Sequence, residues 1–229
     1  MPFCSNCGNE VSETHNYCDV CGTLITVVAA ASPTAVATAP TGYFISANRI
    51  ISLMVLTFGL YLVYWLYLTW RHYRDHTGEN VFPVWHSLTL IIPIYGLFRI
   101  HAHMRIYKEM MTNPGLASTI SPGWAVAVVA VSMLLENLSL EVTGGWTTTS
   151  YSFGAAVVSA LITVVSITLV TGLLVRVQGN MNHYWSSLTN VQIVPSKLRV
   201  GEVIFSVVGL MAWAETLTSL LSASYRGAG

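Results

Sequence analysis

Five apolar stretches dominate the chain after residue 49, at residues 50–70, 81–98, 124–140, 153–175 and 203–221. A helix that crosses a bilayer needs roughly 20 mainly apolar residues at about 1.5 Å of rise each. The first and fourth stretches meet that requirement. The second carries Pro83 and Pro93, the third Glu136 and the fifth Glu215. The pattern predicts a mainly α membrane protein with about five transmembrane helices in residues 44–222 and a short C-terminal tail at 223–229. Four spans plus an interfacial helix is the rival arrangement.

After the second and fourth stretches come two segments that align without a gap at an offset of 77 residues. Arg99/Arg176, Met104/Met181, Tyr107/Tyr184, Thr112/Thr189 and Asn113/Asn190 match. Repetition would make the domain two parallel hairpins and a closing helix; coincidence between two juxtamembrane helices is the alternative. Ile100, Met104, Tyr107 and Met111 recur at helical intervals, as do Val177, Met181, Tyr184, Trp185 and Leu188. Each such helix either lies in the headgroup layer, where Arg99, Arg105, Lys108 and Arg176 would meet lipid phosphates, or packs on a neighbour.

Composition supports the membrane assignment: 53% of residues are hydrophobic and 9% charged, with a mean hydropathy of +0.59, against about 25% charged in soluble domains. Formal net charge is zero, so no global field attracts nucleic acid or acidic substrates. Lys and Arg are unevenly placed. With five spans, Arg49, Arg99, Arg105, Lys108, Arg176, Lys197 and Arg199 fall on one side and Arg71, Arg74 and Arg226 on the other. Positive side chains are retained in the cytoplasm, so the chain is expected in the cell membrane, multi-pass, with a cytoplasmic N-terminus and no secretory signal peptide.

All four cysteines precede the apolar stretches. Cys4 and Cys7 form one C-x-x-C pair and Cys18 and Cys21 another, each followed by glycine. Two residues between sulfurs let both reach one ion from a tight turn, and two pairs complete a tetrahedral site, so one structural Zn²⁺ is expected on a ribbon at residues 1–25. A disulfide pairing is the competing account. Residues 26–43 are rich in Ala, Thr and Pro without charge and read as a flexible linker. The run Phe3-Cys4-Ser5-Asn6-Cys7-Gly8 with Tyr17-Cys18-Asp19-Val20-Cys21-Gly22 resembles the short zinc ribbons at the N-termini of many prokaryotic membrane proteins. Thr57-Phe58-Gly59-Leu60-Tyr61-Leu62-Val63-Tyr64-Trp65 resembles the T-x-G-x-Y-x-x-Y-W pattern of an uncharacterised bacterial membrane-domain family, a likeness that implies no activity.

Residues 1–48 contain no Lys or Arg, and phosphate contacts need them, so the ribbon is not expected to bind nucleic acid. His72 and His76 share a helical face while His101 and His103 diverge; interfacial anchoring is the simpler account of both pairs. Glu136 and Glu215, inside apolar stretches, form a candidate intramembrane polar site. Small residues recur at helical spacing in the fifth stretch (Ser206, Gly209, Ala212, Thr216, Ser219) and the fourth (Ala155, Ser159, Thr163, Ser166), as in closely packed helices. No nucleophile–base set or phosphate-binding loop is present, so no enzymatic activity is expected. The expectation is a scaffold or regulatory protein whose ribbon binds a protein partner, alone or in an oligomer. A small transporter or channel component using Glu136 and Glu215 is the alternative.

Overall fold

Serine and proline set the helix starts. Ser46, Ser121 and Ser152 each accept a backbone N–H of the first turn, from Arg49, Trp124 and Ala155 respectively, satisfying donors that the helix leaves without partners. Pro83, Pro93 and Pro122 occupy first-turn positions, where the missing N–H costs nothing. The computed structural model describes residues 21, 39–145, 150–188, 191–194 and 198–227. Two compact units divide the chain, Met1–Ala39 and Pro40–Gly229.

The described elements run β1 (Ala39–Thr41), α1 (Ala47–Leu56), α2 (Tyr61–Thr77), α3 (Pro83–Leu88), a 3-10 turn (Thr89–Ile91), α4 (Pro93–Thr112), α5 (Pro122–Val142), α6 (Phe153–Ser187), β2 (Val191–Ile193) and α7 (Val200–Leu221). The two short strands pair with each other. Among the described residues, α5, α6 and α7 are long and apolar enough to cross a membrane. The first two expected spans are not single helices.

The first is broken between α1 and α2, where Phe58 (φ 55°) and Gly59 (φ 83°) both adopt left-handed backbone. Contacts along α6 show that the chain reverses there. Ile45, just before α1, bonds Asn182 near the end of α6, and Gly59 lies against Ile167, fifteen residues back. From that turn α2 returns toward its starting level. Trp65 Nε1 donates to Gln178 Oε1 at 2.8 Å, and His76 bonds the Tyr184 hydroxyl at 3.0 Å. The reversal is possible because its backbone is internally satisfied: Gly59 N donates to Met54 O at 2.8 Å, Leu60 N to Thr57 O, and Tyr61 N to Thr57 Oγ1 at 2.8 Å. Gly209 of α7 admits this turn, since a Cβ there would lie 2.2 Å from Thr57 Cα.

The second expected span also folds back, with α3 and the 3-10 turn running one way and α4 the other. A Cβ on Gly96 would lie 2.9 Å from Leu90 Cα, so glycine lets the two limbs touch. α4 then runs parallel to α2: His103 Nε2 meets Thr69 Oγ1 at 3.0 Å, and the Tyr107 hydroxyl donates to Thr69 O at 2.6 Å.

α2 is thus packed against α3, α7 and α1 and meets α4 and α6 through its side chains, and it supplies several of the largest core residues. Tyr61, Trp65, Leu68 and Trp70 are at most 2% exposed. The 77-residue offset reappears in the packing, because Gly96/Leu173, Ile100/Val177, Met104/Met181 and Tyr107/Tyr184 are buried at every position. These apolar stripes pack on protein, which corrects the headgroup-layer alternative for them. Arg71 and Arg74, expected opposite Arg49, stand at the same end of the bundle, because α2 returns there. Of the nine described Lys and Arg residues, Arg226 alone lies at the other end.

Candidate functional site

Antiparallel packing of α5 on α6 joins polar residues that are far apart in sequence. Ser132 and Ser166 hydroxyls meet at 2.8 Å, Ser139 and Ser159 at 2.7 Å, and Ser139 and Thr163 at 3.1 Å. Ser159, Thr163 and Ser166 belong to the stripe expected to mediate close packing in the fourth stretch, and Ser132 and Ser139 of α5, which lie outside the stripes expected from the sequence, complete a hydroxyl ladder with them. α7 lies beside it, contributing Ala212, Thr216 and Ser219 from the other expected stripe.

Between these helices and Phe58 of the α1–α2 turn lies a cleft of about 370 Å³ lined by both Glu136 and Glu215. The Thr163 hydroxyl donates to Glu136 Oε2 at 3.5 Å and the Tyr225 hydroxyl to Glu215 Oε1 at 3.4 Å. Both contacts are long, leaving acceptor capacity on each carboxylate. Two carboxylates and a row of hydroxyls can accept hydrogen bonds from a cationic or protonated solute, or carry protons. Among the described residues no three His, Cys, Asp or Glu side chains are grouped to hold a metal ion.

The C-terminal segment, expected as a tail at residues 223–229, folds back through Tyr225 and Arg226 onto the end of α7, where Glu215 and Ser219 line the cleft. Arg226 is 8% exposed, donates from its guanidinium to Ser219 O at 2.6 Å and Leu220 O at 3.1 Å, and stacks over the Phe153 ring at 5.3 Å. A cation on the last carbonyls of α7 opposes the negative end of its dipole. The carbonyls it caps lie six and seven residues back along the chain, whereas its contact with Phe153 forms only in the packed structure.

The expected cationic lipid contacts divide. Arg105, Lys108 and Arg176 are exposed, whereas the half-buried Arg99 stacks its guanidinium over Trp70 at 5.4 Å. His72, His76 and His103 pack into the core, whereas His101 is exposed. His72 is 3% exposed and packs on Tyr43 with ring centroids 4.8 Å apart, while His76 meets Tyr184 and Trp185. Burial, with the Arg199 charge second, pushes His72 down to about 3. His103 is pushed down to about 3 as well, by burial and then by Arg99 and His86. The Thr69 hydroxyl donates to the Trp65 or Leu66 carbonyl, so a neutral His103 ring donates to Thr69 from Nε2.

A buried ion pair went unnoticed in the sequence. Glu202, in the first turn of α7, is 1% exposed and bonds Arg49 of α1 together with the backbone N–H of Arg199.

Of the four candidate zinc ligands, Cys4, Cys7 and Cys18 lie outside the described residues, and Cys21 is exposed. As a donor set, two C-x-x-C pairs supply four soft thiolates, the number a closed tetrahedral zinc site takes. No curated protein and no solved structure matches the chain. Residues 3–25 match the zinc-ribbon domain family, which gives the chain a zinc-ribbon domain at its N-terminus, ahead of a helical unit with three membrane-length apolar helices.

Proposed function

We propose that this protein is a membrane-embedded scaffold or regulator without enzymatic activity, whose N-terminal ribbon holds one structural zinc on Cys4, Cys7, Cys18 and Cys21 and binds a protein partner in the cytoplasm. The observation that carries this reading is the zinc-ribbon match at residues 3–25, in a compact unit separate from the helical one. A domain this small cannot bury enough surface to fold alone, so metal ligation supplies most of its stability. Its lack of Lys and Arg disfavours nucleic acid and anionic lipid as targets. The cytoplasmic orientation is supported by the gathering of eight described cations at one end of the bundle. Crosslinking in native membranes tests the reading: deleting residues 1–25 should abolish at least one crosslinked species while insertion is normal. An unchanged crosslinking pattern would sink it.

A second reading, a transporter or channel component, is favoured by the cleft that joins Glu136 to Glu215. Liposomes containing the protein should then pass protons or cations in a manner lost on Glu215→Gln. Equal flux from protein and protein-free vesicles would remove this reading.

A further inference from the structure

The two helical hairpins are apolar on the outside and reach the same depth. The register of α5 on α6, set by Ser132 with Ser166 and Ser139 with Ser159, places Gly123 opposite Val175, where the apolar part of α6 ends. From that level the α1–α2 turn, against Ile167, lies eight residues deeper, about 12 Å along the helix. α4 crosses the same level where Phe98 and His101 share a groove with Gly123 and Val126. Its start at Pro93 is five to eight residues deeper, about 8–12 Å. Half of a hydrocarbon core is about 15 Å.

Neither hairpin presents a surface that water would solvate. Ile91, Ile92, Ile94, Phe98 and Trp85 are 58–75% exposed in the second, and Ile51, Val55 and Leu56 are exposed in the first. Residues 50–70 and 80–98 contain no Asp, Glu, Lys or Arg. The cations resume immediately beyond: Arg71 and Arg74 end the first hairpin, and Arg105 and Lys108 lie on the outward end of α4. Backbone that leaves regular helix inside a bilayer must be satisfied by protein. The Thr57–Leu60 turn meets that condition through its internal bonds and through Trp213 Nε1, which donates to Val55 O at 2.7 Å.

We propose that both hairpins are embedded among the acyl chains of one leaflet, the one on the cation-rich side, without crossing to the other. The surface they present is therefore a lipid-binding one, and the α4–α5 groove of about 430 Å³, lined by Ile94, Leu97, Phe98 and Val126, takes an acyl chain. Flanking arginines and lysine meet anionic headgroups at the same boundary. Among the described residues, seven helical segments then occupy this leaflet and three the opposite one. Such a wedge has its larger cross-section on the cation-rich side, so the protein favours membrane whose cation-rich leaflet is the outer, expanded face of a curve.

Topology and sorting test this in the full-length protein. Protease sites inserted after Gly78 and after Ser118 should be cut from the same face of sealed vesicles; cutting from opposite faces means two complete spans and overturns the proposal. In membrane tubes drawn from giant vesicles of phosphatidylcholine with phosphatidylglycerol, molecules with the cation-rich face outward should be at least about twofold denser than on the flat membrane. Equal density would refute the wedge. The variant Trp85→Ser/Ile91→Ser/Ile94→Ser/Phe98→Ser changes only exposed side chains and should lose the enrichment. A photo-crosslinking residue at Ile94 should label lipid, and labelling of a second copy or another protein would assign this face to a protein interface instead.

Discussion

Arg49 and Glu202, separated by 153 residues, form a two-pronged ion pair that ties the start of α1 to the start of α7, with Arg49 Nε 3.0 Å from Glu202 Oε1. The same carboxylate accepts the Arg199 backbone N–H at 2.8 Å, so Glu202 also caps the helix that carries it. A carboxylate that is 1% exposed is tolerable only with such partners. Glu202→Gln should therefore lower stability by about 3–5 kcal/mol, by removing the countercharge of a partly buried guanidinium. The double variant Arg49→Met/Glu202→Leu should recover a large part of the loss. Unfolding in detergent, followed by tryptophan fluorescence for the unaltered protein, Arg49→Met, Glu202→Leu and the double variant, measures the coupling, with Glu202→Gln measured beside them. Additive single effects would mean that the pair is not coupled.

Glycine at 209 should be required for the α1–α2 turn to seat. A methyl group there meets Thr57 Cα at 2.2 Å and Thr57 carbonyl carbon at 2.3 Å, backbone atoms with no rotamer to adjust. Gly209→Ala should cost on the order of 1–3 kcal/mol and increase proteolysis near residue 58. Gly172→Ala and Gly179→Ala place the same methyl group in open space on α6. They should be neutral or stabilising by up to about 1 kcal/mol. If all three behave alike, the close approach has no energetic role.

Acid should weaken the helical unit through His72 and His103. Both are held to about 3 in the folded protein, against the ordinary histidine value of about 6.5. The unfolded chain consequently binds more protons between these values, and stability falls as pH drops through that window; above about 6.5 the full contribution is present. Each ring accounts for a loss on the order of 5 kcal/mol at the acid end. His103→Gln should flatten the decline between pH 6.5 and 4 relative to the unaltered protein. An unchanged slope would show that His103 is protonated in the folded state.

Metal removal should affect only the first unit. Elemental analysis of purified protein should give one zinc per chain, and Cys4→Ser/Cys18→Ser should remove it. The unfolding midpoint of the helical unit should stay the same, because residues from Pro40 onward form their own compact unit. A shift of that midpoint with zinc loss would mean that the two units share stability.

What the sequence by itself determined is what depends on local pattern. The ribbon is readable because four thiolates need fixed short spacings around one ion, and residues 3–25 match that domain. α5, α6 and α7 are readable because hydropathy over some 20 residues is a property of the segment alone. Even the second stretch announced its break, since Pro93 starts a helix more readily than it continues one. The first stretch gave no equivalent warning. Its 21 uncharged residues satisfy the length rule, yet Phe58 and Gly59 turn the chain back because Gly209 leaves room for Thr57 and α6 offers partners to both limbs. Tertiary structure alone likewise decided that Glu136 and Glu215 share a cleft and that Arg49 meets Glu202. Each joins residues on different helices, and helix packing, which depends on the shapes of facing surfaces rather than on any one segment's pattern, brings them within reach.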